Sequence, residues 1–178
     1  MKWFIASDIH GSLYYAKKMV KSFKKENADK MLILGDILYH GPRNDLPRDY
    51  NPKEVITLLN EISDKIVAVR GNCDAEVDQM VLTFPIMADY TIIEDSGVFV
   101  FATHGHKFCE NNLPNLNFDV LLCGHTHVPK NTKHNSFTYI NPGSVSIPKE
   151  NSHHGYIIFE NGTFTFKDFD GNVIDISS

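Results

Sequence analysis

The chain has 178 residues, 42% of them hydrophobic and 22% charged, which suits one globular domain spanning 1–178 and excludes a disordered tail-like protein. No apolar run approaches the roughly 18–20 residues of a membrane span, and 17 basic against 22 acidic residues give a net charge of -5, which argues against general DNA coating.

Residues 3–7, from Trp3 to Ser7, are apolar and then meet Asp8 and His10, so they predict a first strand rather than a signal peptide. Ala16, Met19, Val20 and Phe23 fall at i, i+3, i+4, i+7, the stripe of an amphipathic helix with its lysines outward. Residues 31–34 predict a second strand, ending in Gly35-Asp36. A long loop follows over 37–51, and Pro52 opens a second helix carrying Val55, Leu58, Leu59 and Ile62 on one face. Residues 66–69 predict a third strand, and this βαβαβ order implies a parallel sheet. Asp74-Ala-Glu-Val reads as a helix start, with Asp74 as its cap or as a group that orients a ligand, two compatible roles. Further strands are predicted over 90–93, 98–103, 120–123, 137–140 and 156–159, and Asn161-Gly162 makes a hairpin of 157–160 with 163–166. The expectation is α/β first and antiparallel β afterwards, with Phe159, Phe164, Phe166 and Phe169 serving as sheet core or as an oligomer contact.

Cys73, Cys109 and Cys123 are odd in number and far apart, which is no disulfide framework and suits a reducing cytoplasm. The nine histidines are more telling, because five of them lie just after predicted strands. Strand one is followed by Asp8-Ile9-His10, strand two by Gly35-Asp36 and strand three by Gly71-Asn72. The 98–103 strand runs into His104-Gly105-His106, and the 120–123 strand into Gly124-His125-Thr126-His127. Ligands in open α/β sheets bind beyond the carboxyl ends of strands. Each short motif alone is an ordinary turn. Five apolar strands each ending in Asp, Asn or His predict one convergent site. His134, His153 and His154 have no motif around them and are expected at the surface.

Asp8-x-His10, Gly35-Asp36, Gly71-Asn72, His104 and Gly124-His125-x-His127 resemble the signature of the calcineurin-like metallophosphoesterase superfamily. Within it the chain resembles the small YfcE-type phosphodiesterases, through Gly35-Asp36-Ile37-Leu38-Tyr39-His40-Gly41-Pro42-Arg43-Asn44, Gly71-Asn72-Cys73-Asp74 and Asn141-Pro142-Gly143-Ser144. The resemblance runs from about Trp3 to Pro148. It implies an α/β (α+β) fold of two mixed β-sheets packed as a sandwich and flanked by helices. It also implies two divalent metal ions, Mn²⁺ first, with Zn²⁺, Fe, Ni²⁺ or Co²⁺ compatible. Asp8, His10 and His127 would hold one ion, Asn72, His104 and His125 the other, and Asp36 would bridge them. A mixed oxygen and imidazole set without thiolate suits these metals.

The implied reaction is hydrolysis of a small phosphodiester by a hydroxide bridging the ions, in line with the leaving oxygen. Many relatives carry His after the Gly-Asn. Here that position is Cys73, and a neutral thiol protonates a departing alkoxide poorly, which favours diesters with good leaving groups over monoesters. Cys73 is equally read as a small buried residue. His40, Arg43 and Asn44 are candidates for substrate contact, with Arg43 able to clamp a phosphate oxygen. His106 either orients a ligand or touches substrate, or is a turn histidine satisfied by backbone. A phosphomonoesterase or nucleotide hydrolase on the same centre is the alternative enzyme. A non-catalytic module like the retromer scaffold subunit is the alternative class, although a scaffold need not keep all seven ligand positions filled. No membrane or stable nucleic-acid partner is expected, and relatives' habits suggest a homo-dimer or homo-tetramer.

Overall fold

The computed structural model describes residues 1–176. The β-strand β1 (Trp3–Ala6) leads into helix α1 (Leu13–Glu26), β2 (Lys30–Ile33), helix α2 (Pro52–Asn60) and β3 (Ile66–Ala68). Ser12 caps α1, its hydroxyl accepting from the Tyr15 N–H, and Asn27 ends it in the left-handed conformation at φ 52°. Asn51 caps α2, with Pro52 in its first turn. The three strands are parallel, with Ile5 opposite Leu32 and Leu32 opposite Val67. The first half is therefore as the sequence predicts.

The second half comprises a short helix α3 (Glu76–Gln79) and the strands β4 (Tyr90–Asp95), β5 (Val98–Thr103), β6 (Val120–Leu122), β7 (Pro129–Lys133), β8 (Thr138–Pro142), β9 (Gly155–Glu160) and β10 (Thr163–Asp168). The β9–β10 hairpin joins the first sheet, antiparallel to β1, giving the order β10-β9-β1-β2-β3. The second sheet runs β4-β5-β6-β8-β7. It is mixed rather than antiparallel, because β5, β6 and β8 run parallel. Their connections hold no helix (the one from β6 to β8 contains the strand β7), so the alternation that announces parallel strands is missing. The edge strand β7 is a further difference. Its sequence, Pro-Lys-Asn-Thr-Lys, is polar and begins with proline, which an edge strand tolerates.

Strand alternation builds two cores from one sheet. Phe4, Ala6, Met31 and Ile33 face α1 and α2, against Met19, Phe23, Val55 and Leu59. Ile5, Leu32, Ile157 and Phe159 face the second sheet, against Val100, Ala102, Val120, Leu122 and Ile140. Phe159 and Phe166 are buried and Phe164 stacks on Phe159 at 4.1 Å, so these aromatics are sheet core. The outer face of the second sheet carries Phe101, Leu121 and Tyr139 and is covered by Phe108, Phe118 and Phe137. The helices therefore flank one side of the sandwich. The consequence that matters is positional: the carboxyl ends of β1, β2, β3, β5 and β6 meet along one edge.

Candidate metal centre and substrate cleft

The segments after those five strands are stitched together by backbone. The His10 N–H donates to Asp36 at 2.9 Å, Gly11 N–H to Ile37 at 2.9 Å and Gly124 N–H to His104 at 2.8 Å. The approach is close enough that glycine is required. A Cβ on Gly71 would fall on the Asp36 carboxylate, and one on Gly124 on the Ser7 hydroxyl. Asp8, His10, Asp36, His125 and His127 all take positive φ, between 49° and 68°. Non-glycine residues hold that conformation at a cost of roughly 1–2 kcal/mol each, and such strain concentrates at functional sites.

The sequence-predicted ligands come together as two groups sharing one atom. His127 Nε2 stands 3.1 Å and His10 Nε2 3.6 Å from Asp8 Oδ1. His104 Nε2 stands 3.0 Å from Asn72 Oδ1 and 3.2 Å from His125 Nδ1. Asp36 Oδ2 lies between the groups, 3.6 Å from His10 Nε2 and 3.5 Å from His104 Nε2. Its other oxygen is occupied by the Cys73 N–H at 2.8 Å. The first group is buried, whereas Asn72 and His125 are open to the cleft.

The ring orientations suit cation binding. His10 Nδ1 donates to the Tyr39 carbonyl at 2.7 Å, His104 Nδ1 to Leu34 at 2.6 Å and His127 Nδ1 to Ile147 at 2.9 Å. Those bonds turn each Nε2 inward, where the deprotonated ring presents its lone pair. His10 Nε2 and His127 Nε2 are 3.2 Å apart, a confrontation of lone pairs in the neutral rings. Asp8 Oδ2 accepts from Ser7 Oγ at 2.6 Å and from the His125 N–H at 3.0 Å. Asp8 Oδ1 is fully buried with no hydrogen-bond partner, and a cation between these atoms resolves both anomalies. Ser7 was not legible in the sequence as part of the site, because a serine at a strand end is unremarkable.

Asp74 does not cap α3. It is buried, and its carboxylate accepts from the N–H groups of Asp36 at 2.8 Å, Ile37 at 2.9 Å and Gly71 at 2.7 Å, tying the β2 and β3 loops together. The α3 start is capped by Asp78, which accepts from the Ala75 N–H. Asn141 braces the Gly124–Thr126 segment, donating to the Gly124 carbonyl at 2.7 Å, and Ser144 Oγ donates to the Asp8 carbonyl at 2.8 Å. The Asn-Pro-Gly-Ser turn thus supports two ligand loops.

A cleft of about 460 Å³ opens onto Asp36, Asn72, His125 and His127. Arg43, Asn44 and Cys73 line it, together with Thr126 and Lys149, two residues that sequence patterning did not mark. His40 does not line it: its ring packs edge-on against Tyr50 and its carbonyl accepts from Asn44. His106 is half-buried behind His104, ring centroids 5.3 Å apart, and its buried Nδ1 has no backbone partner. His134 pairs with Glu110 at 2.9 Å, and His154 stacks on Tyr15, so two of the three remaining histidines have partners. A second cavity of about 460 Å³ lies on the outer face of the second sheet, lined by Leu113, Leu116, Phe118 and Phe137. Its carboxylate, Asp119, is occupied by the Phe99 N–H, so the chemistry belongs to the first cleft.

A calcineurin-like phosphoesterase superfamily domain model matches residues 1–163. The chain belongs to that superfamily. It is 52% identical over 130 residues to the phosphodiesterase YfcE of Escherichia coli strain K12, covering 72% of this chain and 71% of that one. The solved structure of YfcE, described as a phosphoesterase from E. coli, superposes with a TM-score of 0.94 at 45% identity, covering 98% of this chain and 97% of that one. An archaeal phosphodiesterase shares the fold at a TM-score of 0.66 and 23% identity, covering 98% of this chain and 100% of that one. The chain is therefore a hydrolase of the phosphoesterase superfamily, and the non-catalytic alternative falls away.

The electrostatics of the superfamily site in this chain follow from burial set against ion pairing. Burial opposes ionisation of Asp8, yet the facing His10 and His127 hold its carboxyl well below the usual carboxylate range. Burial likewise opposes the His104 cation, but its contact with Asp36, with Asp8 behind, raises it to about 9. Burial and the neighbouring charges of His104 and His125 push His106 down to about 4, so it is neutral at pH 7. In the metal-free protein the proton on His104 must leave before a cation binds. Loading with Mn²⁺ near pH 7.5 is therefore expected to release protons, and the apparent affinity to rise with pH up to about 9. Titration calorimetry in buffers of different ionisation enthalpy reads the proton count, and buffer-independent heats would refute it. The raised His104 value also stabilises the metal-free fold fully below its unfolded value near 6.5, a contribution lost as pH climbs through about 9.

Proposed function

We propose that the chain is a divalent-metal-dependent phosphodiesterase acting in the cytoplasm on a small diester, with two ions held at Asp8, His10 and His127 and at Asn72, His104 and His125. The observation that carries this reading is Asp36 Oδ2, one carboxylate oxygen facing an imidazole of each group while its partner oxygen is fixed by backbone. Mn²⁺ fits the oxygen and imidazole donor set, as do Zn²⁺, Fe, Ni²⁺ and Co²⁺. Bound together, such ions supply Lewis acidity on the phosphoryl oxygens and a water acidic enough to attack near neutral pH. Asp8 and Asp36 offset the charge, the backbone-anchored imidazoles fix the geometry, and the cleft orients the diester.

Cys73 lines the cleft, and its Sγ lies within 4.8 Å of ligand atoms of His10 and Asp36. Burial first, then Asp36, push its thiol up to about 12. It stays protonated and is a weak acid toward a leaving alkoxide, so diesters with good leaving groups are favoured over monoesters. Cys73→His should raise the monoesterase-to-diesterase ratio by about 10-fold or more, within the usual range for a positioned acid. An unchanged or falling ratio in steady-state kinetics would count against this role.

The decisive assay is hydrolysis of bis-p-nitrophenyl phosphate beside p-nitrophenyl phosphate, after chelator stripping and reloading with a panel of divalent metals. Diester turnover that disappears on stripping and returns with Mn²⁺ is expected. Turnover insensitive to stripping, or faster on the monoester, would overturn the reading. Self-association as a dimer or tetramer is proposed alongside, and light scattering at assay concentration tests it.

A further inference from the structure

A phosphodiester brings one negative charge, which on the phosphodiesterase reading above is taken up beside Asp36, Asn72 and His125. The rest of the cleft carries cations that this charge does not need. Arg43, from the 41–44 segment, and Lys149 both line it, while Asp36 is the sole carboxylate among its described lining residues. Both cationic side chains are exposed, and among the described residues neither guanidinium nor ammonium has a carboxylate or ring partner. That sets them apart from Lys107, Lys130 and Lys167, which pair with Asp89, Glu110 and Glu26, and from Arg48, which lies over the Tyr14 ring.

Both cations are carried on segments that also fix a ligand histidine. The Lys149 N–H donates to the His127 carbonyl at 3.0 Å, and the His127 ring is anchored on Ile147, two residues before Lys149. Arg43 lies in a turn closed by the Asn44 N–H on Gly41 at 3.3 Å and by Asn44 Nδ2 on His40 at 2.8 Å, directly after the Tyr39 carbonyl that anchors His10. The cations are thereby referenced to the reacting centre and not left on free loops. Among the described residues no Phe, Tyr or Trp lines the cleft, so it lacks an aromatic stacking surface for a nucleobase. Its volume of about 460 Å³ exceeds what a phosphate group alone fills.

We propose that the substrate is a small phosphodiester whose alcohol arm carries a second anionic group, gripped by Arg43 and Lys149. The proposal rests on the phosphodiesterase reading above. Phosphate and carboxylate share the chemistry that a guanidinium recognises through paired hydrogen bonds.

The test compares p-nitrophenyl diesters that share one leaving group and differ in the other arm: methyl, 2-carboxyethyl, 2-phosphoethyl, choline and thymidine 5′. With the metal-loaded protein, at least one anionic arm should exceed methyl by about 10-fold in kcat/KM, chiefly through KM, and choline should fall below methyl. The preference should shrink at high salt, as exposed charges are screened. Lys149→Gln and Arg43→Gln should each cut the anionic-to-methyl ratio at least 5-fold, whereas Lys130→Gln, outside the cleft, should not change it. Which anionic arm gains more separates a phosphate from a carboxylate source. Equal rates for methyl and anionic arms, a ratio that survives both substitutions, or a preference for the thymidine arm would overturn the proposal. Hydrolysis of none of the diesters would instead refute the phosphodiesterase reading, and the proposal with it.

Discussion

Asp36→Asn is expected to lower kcat/KM for diester hydrolysis by about 10³-fold or more and, on the two-ion function proposed above, to reduce bound metal from two ions per chain toward one. The magnitude follows from what the substitution does to a single atom. The amide oxygen of Asn can still accept from the Cys73 N–H, as Asp36 Oδ1 does at 2.8 Å. The amide nitrogen then falls where Oδ2 stands, 3.6 Å from His10 Nε2 and 3.5 Å from His104 Nε2. A shared anionic acceptor becomes a donor that the two imidazoles can satisfy without any cation. The metal-free fold should therefore survive, while the loaded centre loses the charge that makes two adjacent cations tolerable. Losing one preorganised electrostatic contact in an active site costs roughly 10²–10³ in rate, and a bridging carboxylate serves both ions. Steady-state kinetics with elemental analysis and a thermal melt separate the effects. A fully active Asp36→Asn protein would end the two-ion account.

Asp74→Ala is expected to give a large loss of stability. Three backbone N–H groups, of Asp36, Ile37 and Gly71, lose their acceptor in a region closed to water. Each buried donor left unsatisfied costs about 1–3 kcal/mol, so three give a total of about 3–9 kcal/mol, and a fall in Tm of about 6–36 °C is expected for a chain this size. Asp74→Asn keeps one strong acceptor oxygen and should lose distinctly less. Were Asp74 only the cap of the short helix that follows, Asp74→Ala would cost about 1 kcal/mol. Thermal unfolding of the metal-free protein distinguishes the two. A Tm shift of only a few degrees would mean that the loops are held by other contacts.

The same residue shows where sequence reading stopped. Asp-Ala-Glu-Val is a fair helix start, and nothing local says that the Asp side chain turns back across the sheet. Its partners lie 38 and 37 positions upstream, and the third lies 3 positions upstream. Ser7 and Lys149 escaped for a similar reason, since a serine after a strand and a lysine in a turn carry no pattern. The edge strand Pro129–Lys133 is polar, so it lacked the alternation that marks a half-buried strand. The parallel run of β5, β6 and β8 was missed because its crossovers hold no helix.

The sequence by itself determined which strands are buried, how the first three run, and which seven polar side chains gather beyond the strand ends. Apolar periodicity and residue type are local properties, and five strand ends each carrying Asp, Asn or His form a pattern that survives without coordinates. Only the tertiary structure decided that Asp36 turns one oxygen to both ligand groups and that Asp74 clamps its backbone. It also decided that Arg43 and Lys149, more than a hundred positions apart, face one cleft. Those facts depend on two sheets packing face to face, which brings together residues whose chain separation no local rule can bridge.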